Sequence, residues 1–128
     1  MTIENNSQTI DHRRLGTAGP IATSPGLGAM SMSGAYGPTS DAEGIAAIHT
    51  YLDAGGTLID TGDFYGAGHN EMLIGRALSQ RSRDDVILSV KFGAVLSPDG
   101  SFIGFDSRPD AIRNSLAYSL RRLGADHV

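Results

Sequence analysis

Three side chains in this sequence are spaced for proton chemistry. Asp60 follows the apolar run Thr57-Leu58-Ile59, Tyr65 lies a few residues further on, and Lys91 follows Val86-Ile87-Leu88-Ser89-Val90. If both runs are strands, Asp60 and Lys91 stand at strand ends, and the loop that carries Tyr65 can fold back over them. A cation beside a phenol favours its ionised form, so the hydroxyl can give up and retake a proton. A carboxylate beside that cation keeps it charged and oriented. Composition adds weight to Lys91. Of the ten basic residues it is the sole lysine, a compact ammonium in a chain that otherwise uses guanidinium groups. The same spacing also fits an ion pair between Asp60 and Lys91 that does no more than close the fold. Spacing alone leaves both readings open.

The elements needed to position these groups can be read around them. Residues 1–11 are polar and aperiodic, which predicts a loose tail. Gly16, Gly19-Pro20 and Pro25-Gly26 bracket Ile21-Ala22-Thr23, the punctuation of a small hairpin. Leu27-Gly28-Ala29-Met30 reads as a short buried strand. Ser40 or Asp41 can cap a helix with Ile45, Ile48 and Leu52 on one face, ended by Gly55-Gly56. After the strand 57–59 a Gly-rich loop leads to Asn70, which the pattern casts as N-cap of a helix over 71–78. Arg81 to Asp85 is a polar link to the strand 86–90. Gly93 to Asp106 reads as a long loop. Pro109 opens a helix through Leu123 with Ile112, Leu116 and Leu120 on one stripe and Gly124 as its stop.

Strand and helix thus alternate. Gly28, Asp60 and Lys91 are separated by 32 and 31 residues, close to the roughly 30 residues of one strand-helix-strand unit. That predicts a parallel sheet covered by helices, either open and doubly wound or closed as a barrel. Eight such units make about 250 residues, and this chain holds about three, with a fourth strand expected near His127-Val128. In either architecture the carboxyl ends of the strands share one rim, where sites are built.

Several function classes are excluded or disfavoured. A length of 128 residues allows one ordinary domain, and a net charge of -4 offers no basic stripe for nucleic acid. The absence of cysteine removes disulfides, thiolate nucleophiles and Cys-based zinc sites. With no apolar N-terminal region and no run near the roughly 18 apolar residues of a membrane span, the expected setting is cytoplasmic, with no membrane partner. Asn5-Asn6-Ser7 spells a glycosylation sequon without that context to give it meaning. Gly26-x-Gly28 has Ser31 where a dinucleotide fingerprint needs its third glycine, which disfavours a Rossmann domain. Asp63, His69 and Glu71 crowd one loop in the manner of metal ligands, yet a helix start explains Glu71 and no ligand spacing is present, so no metal is expected. His12 and His49 read as tail and helix residues, Met30 and Met32 face either substrate or core, and Arg121-Arg122 reads as a solvated helix end.

The stretch Gly56-Thr57-Leu58-Ile59-Asp60-Thr61-Gly62-Asp63-Phe64-Tyr65-Gly66, then Asn70-Glu71-Met72-Leu73-Ile74-Gly75-Arg76-Ala77-Leu78, then Ser89-Val90-Lys91-Phe92-Gly93, resembles the aldo-keto reductase family. The resemblance covers about Arg14 to Val128 and departs from the family signature at Gly62, where alanine is usual. It implies an NADP(H)-dependent oxidoreductase on a (β/α)8 TIM barrel that reduces aldehydes or ketones to alcohols by hydride transfer. It carries the role of general acid onto Tyr65, of the residue that tunes it onto Lys91, and of that lysine's partner onto Asp60. Gly28, Ala29, Met30 and Asp60 match positions along the cofactor. The family's catalytic histidine belongs at the end of a fourth strand, beyond Val128, and His127 is not assigned that role. The isolated 128 residues are therefore expected not to turn over, which NADPH consumption with an aldehyde would refute. The alternative is a truncated, non-catalytic relative acting through self-association at incomplete barrel edges or through a partner. The intact mass of the native protein separates the two.

Overall fold

The computed structural model describes residues 10–128. The loose tail expected over 1–11 falls for the most part outside the described residues, and Asp11 already opens the first strand. β1 (Asp11–Arg14) and β2 (Ile21–Ser24) form the expected antiparallel hairpin, in which His12 pairs with Thr23 rather than lying in a tail.

The main body alternates strand and helix. β3 (Leu27–Gly28) is followed by a 3-10 turn over Met30–Ser33 and then α1 (Asp41–Asp53). β4 (Leu58–Gly62) leads through a second 3-10 turn, Tyr65–Gly68, into α2 (His69–Leu78). β5 (Ile87–Lys91) is followed by β6 (Ala94–Leu96), β7 (Phe102–Phe105) and α3 (Pro109–Leu123). β3, β4 and β5 lie side by side in that order, all parallel, with Gly28 opposite Asp60 and Asp60 opposite Ser89. The fold is thus mixed α/β with a parallel sheet, as the alternation of periods requires.

Local chemistry explains where the elements start. Ser40 caps α1 in a capping box: its hydroxyl accepts from the Glu43 amide while the Glu43 carboxylate accepts from the Ser40 amide at 2.9 Å, an arrangement worth about 1 kcal/mol. α3 begins at Pro109 and ends at Gly124, whose φ of +63° reverses the chain. Ile48 from α1, Ile59 and Leu88 from the sheet, Leu73, Ile74 and Ala77 from α2, and Leu123 from α3 share one core. Met32 belongs to that core, which settles it as packing, while Met30 is half-buried. His49 donates to the Ala77 carbonyl at 2.8 Å and ties α1 to α2, as a helix residue can.

Four expectations are corrected. β3 is two residues long and turns at Ala29, because the chain must drop into the 3-10 turn that buries Met32. α2 starts at His69 with Gly68 as its cap residue at φ +94°, so Asn70 is inside the first turn and caps nothing. The loop expected over 93–106 folds into the β6–β7 hairpin around Asp99-Gly100, where Ser97 donates to the Asp99 carboxylate. Residues 125–128 form no strand.

Candidate active site

β4 and β5 run in register so that both polar ends of the sheet face the same rim. The Lys91 ammonium donates to Asp60 Oδ1, and the Ser89 hydroxyl donates to Asp60 Oδ2 at 2.8 Å. Both carboxylate oxygens are thereby held, one by a charge and one by a neutral donor on the adjacent strand. Asp60 is opposite Ser89 rather than Lys91 in the ladder, and Gly62 is opposite Lys91, so the lysine reaches back along the strand to its partner. Asp60, first by hydrogen bond and also by charge, holds Lys91 above the ordinary lysine range, with the Tyr65 hydroxyl adding to the effect and desolvation opposing it. Lys91 therefore stays an ammonium across the physiological range.

Tyr65 opens the 3-10 turn after β4, and its ring lies under that ammonium, with Nζ 5.6 Å from the ring centre. Phe64 meets the Tyr65 ring edge-on at 4.9 Å. Both rings fold over Gly62: a Cβ there would stand 3.2 Å from Phe64 and 3.3 Å from Tyr65. Glycine in place of the alanine usual in the resemblance thus lets the aromatic pair settle closer to the strand end. Gly66, Ala67 and Gly68 all take positive φ and bend the chain from Tyr65 into α2. The structure therefore brings Asp60, Tyr65 and Lys91 to one rim position.

The residues read as cofactor-lining differ among themselves. Gly28 is exposed, and a Cβ there would meet nothing within 4 Å, so the strand end borders open space that a flat or extended ligand can approach. Met30 is half-buried beside it. Ala29 is fully buried: its amide donates to the Asp60 carbonyl at 2.9 Å and its carbonyl accepts from Asn70 at 2.7 Å. Gly28, Met30 and Asp60 fit a cofactor edge laid along the rim, whereas Ala29 contributes the backbone turn beneath it.

The crowded carboxylates and histidine of the next loop part company. His69 Nε2 donates to Asp41 at 2.8 Å, and its Nδ1 accepts from the Ser33 hydroxyl at 2.9 Å. Glu71 is fully buried and accepts from Arg122 at 2.8 Å. Arg122 is therefore no solvated helix end: it crosses from α3 to α2, which the sequence reading missed. Asp63 is held above the ordinary carboxylate range, first by burial and then by the charge of Glu71, while Ser115, Arg122 and the Phe64 amide pull the other way. Asn70 was also missed as anything but a cap. Its side chain is fully buried and accepts from Thr61 at 2.6 Å while donating to Ala29 and, at 2.9 Å, to Ser33.

This set can hold and release a proton at the Tyr65 oxygen beside a fixed cation, on the edge of an open strand end. Comparisons with known proteins agree in kind. The model of the aldo/keto reductase family matches residues 26–128, and the chain belongs to that family. It is 34% identical over 116 residues to a Glycine max protein named as a probable aldo-keto reductase, and these cover 90% of this chain and 33% of that one. It is 37% identical over 104 residues to the aldo-keto reductase yakc [NADP(+)] of Schizosaccharomyces pombe, covering 80% and 31%. Among solved structures, the holo form of aldo-keto reductase AKR11C1 from Bacillus halodurans superposes with a TM-score of 0.81 at 30% identity, over 94% of this chain and 38% of that one. The chain spans about a third of the length of the curated relatives it matches. Among the described residues no helix is long and apolar enough to cross a membrane.

Proposed function

We propose that this chain is the catalytic-rim portion of an NADP(H)-dependent oxidoreductase that interconverts carbonyl compounds and alcohols, and that its three βα units are part of a (β/α)8 barrel. The observation that carries the reading is the placement of the Lys91 ammonium against both the Asp60 carboxylate and the Tyr65 ring. In this reading the Tyr65 hydroxyl donates its proton to the carbonyl oxygen as that oxygen gains negative charge. Lys91 stabilises the phenolate left behind, and Asp60 with Ser89 keeps the ammonium from swinging into solvent. In the reverse direction the phenolate accepts the alcohol proton. The nicotinamide cofactor, when bound, supplies or accepts the hydride. Gly28, Met30 and Asp60 would border it, with Ala29 turning the backbone below. The preference for NADP(H) is supported by the NADP(+) in the name of the S. pombe relative. A cytoplasmic setting belongs to the same proposal, supported by the cysteine-free composition.

The test is NADPH-dependent reduction of a panel of aldehydes by the natural full-length polypeptide and its Tyr65→Phe variant. Phenylalanine keeps the ring and its contacts with Phe64 and Lys91 but removes the acid. The expected result is loss of at least about a thousandfold in kcat, of the size general acid catalysis contributes, with NADP+ affinity within about threefold of the parent. Equal turnover by the two proteins would remove Tyr65 from the mechanism.

A further inference from the structure

We propose that Asn70 is a positioning residue that fixes the course of residues 29–33 along the rim and, through them, sets the affinity for the dinucleotide cofactor; this rests on the reading above. The Asn70 side chain makes three hydrogen bonds that join two pieces of the rim, the turn after β3 and the end of β4. Its amide nitrogen donates both protons, to the Ala29 carbonyl at 2.7 Å and to the Ser33 hydroxyl at 2.9 Å, while its oxygen accepts from Thr61 at 2.6 Å. The turn after β3 is thus tied to the end of β4 through the first turn of α2. A backbone tie between the same two pieces runs from the Ala29 amide to the Asp60 carbonyl at 2.9 Å.

The hydrogen-bond polarity of this hub is one-way. The Ala29 carbonyl can only accept, so the Asn70 nitrogen must face it and the Asn70 oxygen must face Thr61, whose hydroxyl therefore donates. Reversing the amide would set two acceptors against each other in a fully buried place. Ser33, having received one Asn70 proton, passes its own to His69 Nδ1, and His69 Nε2–H passes on to Asp41, which also pairs with Arg76. The polarity set at the Ala29 carbonyl therefore reaches the surface in one continuous chain. The segment so held, from Ala29 to Ser33, adjoins the open space beside Gly28 and contains Met30. A shift of this turn changes the edge on which a cofactor would lie while leaving the Asp60–Tyr65–Lys91 set, on β4, β5 and the next loop, in place.

The discriminating variant is Asn70→Asp, which keeps the shape and swaps two donors for an acceptor. An ionised carboxyl at position 70 can still accept from Thr61 but repels the Ala29 carbonyl; once protonated it donates to that carbonyl and restores one tie. NADP+ is titrated by calorimetry into the natural full-length polypeptide and into this variant from pH 5.5 to 8. Groups facing the hub from each side are His69, Asp41 and Arg76 beyond Ser33, Asp60 and Lys91 on the sheet, and Glu71 with Arg122 on the far side of α2. All are present in both proteins, so the ratio of the two dissociation constants isolates the new carboxyl. The ratio is expected to be at least about tenfold at pH 8 and to fall to within about threefold at pH 5.5. A general loosening of the fold would give a ratio that does not fall with pH. Thr61→Val, which removes the hydroxyl that donates to the Asn70 oxygen, is expected to weaken NADP+ about threefold, and Thr61→Ser, which keeps that hydroxyl, to match the parent; this pair carries the test if Asn70→Asp does not fold, and an equal loss in both is the mark of general loosening. Parental affinity in every folded variant, or a loss in Asn70→Asp that is the same at all pH values, overturns the inference alone. Failure of the parent to bind NADP+ overturns the function proposed above and this inference with it.

Discussion

Two ion pairs flank the loop that carries Tyr65, and they share chemistry but not surroundings. Lys91–Asp60 stands at the rim with side chains 50% and 37% exposed. Arg122–Glu71 lies behind the loop, with Glu71 at 0% and Arg122 at 32%. Water screens the first, so holding it together adds little to folding, about 0–1 kcal/mol. The second has already surrendered the hydration of its carboxylate, and Glu71 Oε1 has no hydrogen-bond partner among the described residues. Removing the cation there strands a buried charge. One pair is placed to act on something that arrives from solvent, and the other to hold the loop and α2 against α3. Arg122 also packs on Gly68, where a Cβ would come within 2.8 Å of its guanidinium, and its carbonyl lies 2.6 Å from a Cβ built on Gly75. The side chain and its own backbone thus both depend on glycines, one at the cap of α2 and one within it.

The largest effect expected from this contrast is on stability at the hidden pair. Arg122→Ala should cost about 3 kcal/mol, the lower end for breaking a buried pair because the arginine is partly exposed. That corresponds to roughly 10 °C in Tm for a domain of this size. Thermal unfolding by circular dichroism checks it, and a loss below about 1 kcal/mol would mean that the two pairs do not differ in kind. Lys91→Met is the counterpart at the rim. Its stability should stay within about 1 kcal/mol of the parent, while carbonyl reduction by the full-length polypeptide should fall by at least about a hundredfold. Unfolding and turnover measured on the same preparation check both halves. A large stability loss with little change in turnover would assign the rim pair to closing the fold, the reading that spacing alone left open.

The same contrast marks what the sequence made legible. Asp60 and Lys91 were readable because strand ends recur with the period of the βα unit, and a lone lysine in an arginine-rich chain stands out at one of them. Arg122 was not, since a basic residue in a last helical turn ordinarily favours the helix dipole, and its partner lies 51 residues away. A signal was nonetheless present: Gly68, the cap residue of α2, and Gly75 within it are both glycine, and both lie against Arg122, leaving room for another helix to approach. Asn70 was misread for a similar reason. Asparagine is a strong N-cap, but the run of positive φ from Gly66 to Gly68 starts the helix one residue before it, turning its side chain inward. The β6–β7 hairpin was hidden by its composition, although Asp99-Gly100 between apolar stretches is a turn signal in its own right. Its outer residues Phe102, Ile103 and Phe105 are exposed, so burial gave no alternation to read.

The smallest effect refines the hidden pair. Asp63 sits beside Glu71 and is held above the ordinary carboxylate range by burial and by that neighbour's charge. A carboxyl whose folded pKa is raised favours the folded state most when protonated, so its contribution is fully present below the unfolded value near 3.8 and is lost as pH rises through the folded one. At neutral pH the ionised Asp63 therefore opposes folding, and Asp63→Asn removes that opposition while keeping an oxygen for Ser115 and the Phe64 amide. The variant should be more stable than the parent at pH 7 by less than about 1 kcal/mol, after solvent screening of a half-buried group. The gap should close as pH is lowered toward 4, because the parent then gains the proton that the amide never needed. Urea unfolding of both proteins at several pH values across this range reads the difference. A gap that stays constant with pH would mean that neither burial nor Glu71's charge raises Asp63, leaving the hidden pair electrostatically silent to its neighbours and sharpening its contrast with a rim pair that acts through its charge.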